Sequence, residues 1–155
     1  MERDAAIALL GKYFDISELV SKAVYTKYGQ SGWRFFDTAL IETLIALRTD
    51  ILKVPLICNN WKSGGEFTQR GFRENIAPLV WSKTNAGVLY CSAHCLGKGV
   101  DLSSSKMTAE QMRTAIKKLA YKLPHKVRME DGVSWLHIDT MTDPSQQQTV
   151  YLFKV

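Results

Sequence analysis

The sequence predicts a single α+β domain, residues 1–155, in which helices precede a mostly antiparallel sheet. Two patterns predict it. Apolar residues recur at helical spacing from Phe36 to Ile51, whereas Lys126–Glu130 and Val133–Asp139 are alternating runs on either side of an Asp-Gly pair. At 155 residues the chain is large enough to bury a core without disulfide or metal staples.

Taken in order, Asp15 and Glu18 have the spacing of a capping box that opens a helix. Leu19, Val20, Ala23 and Val24 supply its stripe, and Tyr28-Gly29 ends it. The next helix is the best marked. Between Asp37 and Lys53 the residues Leu40, Leu44, Leu47 and Ile51 continue the face begun by Phe36, and Pro55 stops the chain from going further. Leu56-Ile57-Cys58 then reads as a short buried strand. Asn59 to Gly87 is irregular, a length that in compact domains points to a functional loop. Val88-Leu89-Tyr90 and Val100-Asp101-Leu102 read as strand pieces flanking a glycine-rich turn. Thr108 and Gln111 form a second capping box, followed by the stripe Met112, Ala115, Ile116 and Leu119, with Lys117 and Lys118 near the end that favours cations. Asp131-Gly132 predicts a tight hairpin, and Val150–Val155 a last strand.

Composition narrows the function classes. Hydrophobic content of 46% and charged content of 23% describe an ordinary globular chain, and no apolar run reaches the roughly 18 residues of a membrane span. Residues Met1–Leu10 lack the pattern of a secretory signal, so synthesis in the cytoplasm is expected, with any work at a cell wall requiring release or delivery by another route. Cys58, Cys91 and Cys95 are an odd number, which predicts reduced thiols rather than a disulfide framework. The net charge of +5 suits either a solvated basic surface or an anionic partner. No nucleic-acid-binding motif accompanies it, so nucleic acid is not expected as the partner.

Chemistry concentrates at two of the three histidines. The first stretch reads Ser92-Ala93-His94-Cys95-Leu96-Gly97-Lys98-Gly99-Val100-Asp101. Imidazole and carboxylate both ligate zinc, and a turn built on Gly97 and Gly99 can fold His94 against Asp101. The second reads Trp135-Leu136-His137-Ile138-Asp139. Alternation puts Trp135, His137 and Asp139 on one face of a strand, with Leu136 and Ile138 on the core side. Three protein ligands would leave a fourth tetrahedral position for water, as catalytic zinc requires. A Cys-x-x-His site from Cys91 and His94 has no second pair to complete it, and His125 after Pro124 reads as a surface loop residue. Trp61, Phe67 and Phe72 could line a groove or pack the long loop.

The pattern Ser-x-His-x-x-Gly-x-(small)-x-Asp, followed by a Trp-rich strand bearing His, resembles the zinc D-alanyl-D-alanine carboxypeptidases and L-alanyl-D-glutamate endopeptidases. These are bacterial and phage cell-wall enzymes that share their fold with the Hedgehog signalling domain. The resemblance covers about Asn59 to Asp139. It implies a Hedgehog/DD-peptidase-like fold, zinc held by His94, Asp101 and His137, and peptidoglycan stem peptides as substrate, with a phage or prophage lysin as the model. It also makes Arg73 the counterpart of a substrate-binding arginine. Family members usually carry Ala where this chain has Gly99, and many place an acid three residues before the second histidine, where this chain has Ser134. The candidate bases are therefore Asp139 and Glu130. With a two-residue Asp131-Gly132 turn, Glu130 would pair with Val133 and lie about 13 Å along the strand from His137, too far to serve. Asp139, at about 7 Å, is then the better base or else a partner that orients a ligand.

Overall fold

The computed structural model describes all 155 residues. Five α-helices and a four-stranded mixed sheet form one α+β unit. The helices are α1 (Arg3–Leu10), α2 (Lys22–Tyr28), α3 (Thr38–Ala46), α4 (Pro78–Asn85) and α5 (Ala109–Lys118). The strands are β1 (Gly99–Leu102), β2 (Val127–Glu130), β3 (Leu136–Asp139) and β4 (Val150–Phe153), in the order β1-β3-β2-β4.

α3 begins one residue after Asp37 and runs on through a wider π-helical turn, Leu47–Ile51, so the long helical face occurs as its periodicity predicts. Phe36, Leu40, Leu44, Leu47 and Ile51 are all buried on it. The capping box at Thr108 opens α5 as expected, with both reciprocal bonds formed. The box at Asp15 opens only a single 3-10 turn, Ile16–Glu18; Ser21 starts α2 anew by accepting from the Val24 amide. Two helices lie where none was expected. α4 has no buried residue and so no stripe to betray it; Pro78 in its first turn is the one sequence mark. α1 buries only Ala6 and Leu10 and has no side-chain cap. Of the predicted strand Leu56–Cys58, only a bridge between Ile57 and Ser103 forms, and Val88–Tyr90 is not a strand.

The sheet has two unlike faces. Val100, Leu102, Val127, Met129, Leu136 and Ile138 point into the main core, each fully buried, together with Met112 and Ile116 of α5. Burying a side chain of that size contributes about 1.5–3 kcal/mol, so this face holds the sheet on the helices. The alternate residues Asp101, His137, Asp139, Arg128 and Glu130 lie on the other face.

The sheet is mostly antiparallel as expected, but one pair is not, and the tight hairpin needs correction. β4 runs parallel to β2, with Val127 level with Val150. The cause is that β3 ends at Asp139, opposite Arg128, and therefore at the start of β2. The chain crosses that end and enters β4 travelling the same way as β2. Nor is Asp131-Gly132 a two-residue hairpin turn. Arg128 pairs with Asp139 and Met129 with Ile138, so the connection is the five-residue stretch Asp131–Trp135. The same register carried one residue further sets Glu130 level with His137, four residues from the position the tight turn implied.

What the turn wraps around is a buried cation. Arg113 of α5 is 4% exposed, and its guanidinium donates to the carbonyls of Trp135 at 3.0 Å, Val133 at 2.9 Å and, more loosely, Glu130 at 3.4 Å. Glu110, one turn earlier on the helix, accepts from Arg113 Nε at 3.1 Å. A carbonyl bonded to a charged donor gains about 1.5–3 kcal/mol, so these bonds favour the open loop.

Candidate metal centre

His94 and Asp101 are brought together by a single 3-10 turn, Ala93–Leu96, and the start of β1. Ser92 caps that turn by accepting from the His94 amide. The turn closes through Gly97 in the left-handed region, φ 66°, where a Cβ would fall 1.8 Å from the Phe35 carbonyl oxygen. Only glycine fits there. Asp37 N–H donates to the Gly97 carbonyl at 2.9 Å and fastens the turn to the start of α3. His137 arrives from β3, paired directly with Asp101 across the sheet.

The three side chains are nearly closed to solvent: His94 is 3%, Asp101 8% and His137 7% exposed. One nitrogen of each imidazole and one oxygen of Asp101 all lie within 4.8 Å of one another, so the group could hold a metal ion. Asp101 Oδ1 is the meeting point, 2.8 Å from His137 Nδ1 and 3.4 Å from His94 Nε2. The remaining nitrogens are spoken for. His94 Nδ1 lies 2.9 Å from the Gly71 carbonyl oxygen, and His137 Nε2 lies 2.7 Å from Asp139 Oδ2. In both rings the outward N–H is thereby committed as a donor, which leaves His94 Nε2 and His137 Nδ1 with lone pairs facing inward when the rings are neutral. The Gly71 segment is itself fixed: Phe72 N–H donates to the Leu19 carbonyl at 2.9 Å, and a Cβ on Gly71 would sit 2.0 Å from that oxygen. Two imidazoles with assigned tautomers and a carboxylate form a donor set that suits a borderline divalent ion.

Asp139 is fully buried and has no free oxygen. Arg128 holds it with two bonds of 2.8 and 3.0 Å, the Met141 amide donates to Oδ1 at 3.0 Å, and His137 takes Oδ2. This arrangement orients His137; it offers no oxygen to a water in the cavity. Glu130 differs. It lines the same cavity of about 340 Å³, together with Arg73, Tyr90, Trp135 and Phe153, and its carboxylate enters none of the site's ion pairs. Arg73 donates to the Gln69 carbonyl and the Tyr90 hydroxyl, each at 2.7 Å, and its Nη2 stands 3.5 Å from Asp101 Oδ2. Cys91 also lines the cavity but does not belong to the converging group, and His125 pairs with Glu42, away from it.

Three residues important to this geometry escaped sequence reading. Arg128, Gly71 and Tyr90 carry no motif of their own; only the alternation of β2, which puts Arg128 two positions before Glu130, could have pointed to one of them.

Compared with known protein families, curated proteins and solved structures, the chain matches none.

The electrostatics set a pH dependence. Burial alone would lower the His137 pKa, but hydrogen bonds to Asp101 and Asp139 outweigh it and raise it to about 9. Burial pushes the Asp101 carboxyl up, yet the bonds from His137 and His94 overcome it and hold the group well below the usual carboxylate range. In the metal-free protein His137 is therefore protonated at neutral pH and bonded to two carboxylates. Its folded pKa lies above the unfolded value of 6.5, so the stability it contributes is complete below pH 6.5 and is lost as pH rises towards about 9. A metal needs the same nitrogen unprotonated, so the two dependences oppose each other. Apparent metal affinity is expected to fall about tenfold per pH unit below pH 9, as one displaced proton requires. Competition titration with a chromophoric chelator from pH 6 to 9 measures it; a flat profile would show that His137 is not a ligand.

Proposed function

We propose that the chain is a zinc-dependent peptidase that hydrolyses peptide bonds in peptidoglycan stems, in the manner of the D-alanyl-D-alanine carboxypeptidases and L-alanyl-D-glutamate endopeptidases it resembles. The observation that carries this reading is the convergence of His94, Asp101 and His137, each buried, with both imidazoles oriented by hydrogen bonds from their outward nitrogens. Zinc bound by such a set supplies a Lewis acid that polarises a carbonyl and brings the pKa of water towards neutrality.

The chain's own residues account for the rest. Glu130, unpaired and level with His137 in the strand register, is the carboxylate free to take a proton from water and return it to the leaving amine. Asp139, clamped by Arg128, keeps His137 in orientation. Arg73 stands at the cavity wall, where a guanidinium can receive a substrate carboxylate or stabilise charge developing on the carbonyl oxygen. Trp135 and Phe153 give that cavity apolar walls for the stem's side chains. Such an activity fits a phage or prophage lysin acting on the cell wall.

One observation favours a second reading, a zinc-binding interaction domain without catalysis. Ser134, three residues before His137, is exposed and opens onto a different cleft, so that position sends no acid into the site. The deciding experiment incubates the zinc-loaded protein with muropeptides carrying D-Ala-D-Ala or L-Ala-D-Glu bonds. Release of D-alanine or of the peptide fragment, lost with a chelator and regained with zinc, supports the peptidase. Neither bond being cut by protein that holds zinc favours the interaction domain.

A further inference from the structure

We infer that Arg113 is a positioning residue for Glu130: its guanidinium opens the β2–β3 connection to the length that brings the carboxylate beside His137. The inference rests on the peptidase reading, in which Glu130 is the base. It starts from an oddity of the fold. A fully charged side chain at 4% exposure is costly unless every donor is used, and Arg113 uses its donors on one short piece of chain. Three carbonyls, those of Glu130, Val133 and Trp135, face it from the two ends and the middle of the loop. Glu110, 65% exposed in its side chain, steadies the guanidinium from the solvent side at 3.1 Å.

The geometry has a direct consequence for register. Asp131-Gly132 is a strong two-residue turn sequence, and a chain obeying it would put Glu130 opposite Val133. Carbonyls gathered round a planar fork cannot also be the carbonyls of a tight turn. The observed loop keeps Gly132 in the left-handed region, φ 77°, but spreads the bend over Asp131–Trp135. Arg113 thus decides between two pairings of β2 with β3 that differ by four residues. In one the cavity has a free carboxylate; in the other it has none. A shift of an even number of residues keeps each side chain on its own face, so alternation alone does not choose between the two pairings and a restraint on the loop is needed. Arg113 touches none of the metal-holding side chains and acts through the backbone.

The test compares Arg113→Lys, Arg113→Met, Glu130→Gln and the double variant Arg113→Lys/Glu130→Gln, each zinc-loaded and checked for fold. Lysine keeps the charge but lacks the fork, so Arg113→Lys should retain zinc and KM within about twofold while kcat falls at least about tenfold, a fraction of the 10²–10⁴ a general base supplies. The double variant should be no slower than Glu130→Gln alone, because both act on one group. Amides of Asp131–Trp135 should exchange faster in Arg113→Lys, with those of β1 unchanged. Arg113→Met, which strands all three carbonyls, should be worse than Arg113→Lys in both readouts. Full kcat in a folded Arg113→Lys, with Glu130→Gln crippled, overturns this inference alone, as does a loss that simply adds to that of Glu130→Gln. Full kcat in Glu130→Gln removes the base assignment and this inference with it. If the parent itself releases nothing, the peptidase reading fails, and unchanged loop exchange in Arg113→Lys then rejects the clamp as well.

Discussion

His137→Ala should release the metal and abolish peptide release together, the largest effect expected of any single change in this protein. His137 sits between Asp101 and Asp139, bonded to both, and removing it deletes one of the three candidate ligands and uncouples the other carboxylate. The remaining His94 and Asp101 cannot complete a tetrahedral shell with water alone at useful affinity. Metal analysis of the dialysed variant should find no zinc where the parent holds about one per chain. Zinc at parental occupancy in His137→Ala would mean that the ion binds elsewhere. Asp139→Asn makes the graded comparison. It keeps shape but weakens the acceptor for His137 Nε2–H and strips Arg128 of its ion pair, and changes of this kind cost about 10–100-fold in metal affinity.

Glu130→Gln should leave zinc in place and lower kcat by about 10²–10⁴-fold, the range for removing a general base. The substitution is nearly isosteric and the side chain makes no ion pair within the chain, so stability should barely change. Asp139→Asn, brought to full zinc occupancy with excess metal, should recover most of the parental kcat. If instead Glu130→Gln is fully active and zinc-saturated Asp139→Asn is dead, the proton passes through Asp139, against its four hydrogen-bond commitments.

The contrast between Glu130 and Asp139 shows where the sequence was informative. Only three histidines occur, which made His94 and His137 conspicuous, and a glycine turn together with the resemblance of the motif singled out Asp101 among the aspartates. Alternation in β3 correctly separated His137 and Asp139 from Leu136 and Ile138. The α3 face was equally legible, being long and strictly periodic. What could not be seen was whatever a distant residue decides. The register of β2 against β3 depends on Arg113, which lies in another element and looks from sequence like one more charge on a basic helix. The direction of β4 depends on which end of β2 the chain has reached, a fact of topology. Helix α4 buries nothing and so left no periodic trace. The α+β architecture is observed, and the Hedgehog-type fold is what the motif's resemblance implies.

The sheet's two faces impose a proofreading rule on the chain as it folds. Along β3 every second residue belongs to the core and the others to the candidate metal site, with Leu136 and Ile138 fully buried on one side and His137 and Asp139 on the other. A slip of a single residue would exchange the two sets at once, pushing a carboxylate and an imidazole into the hydrocarbon and exposing leucine and isoleucine in the cavity. Such a chain would have several kcal/mol of unpaid desolvation and could not persist as a slightly impaired copy. A one-residue slip therefore costs the core and the site together, so neither can be lost without the other.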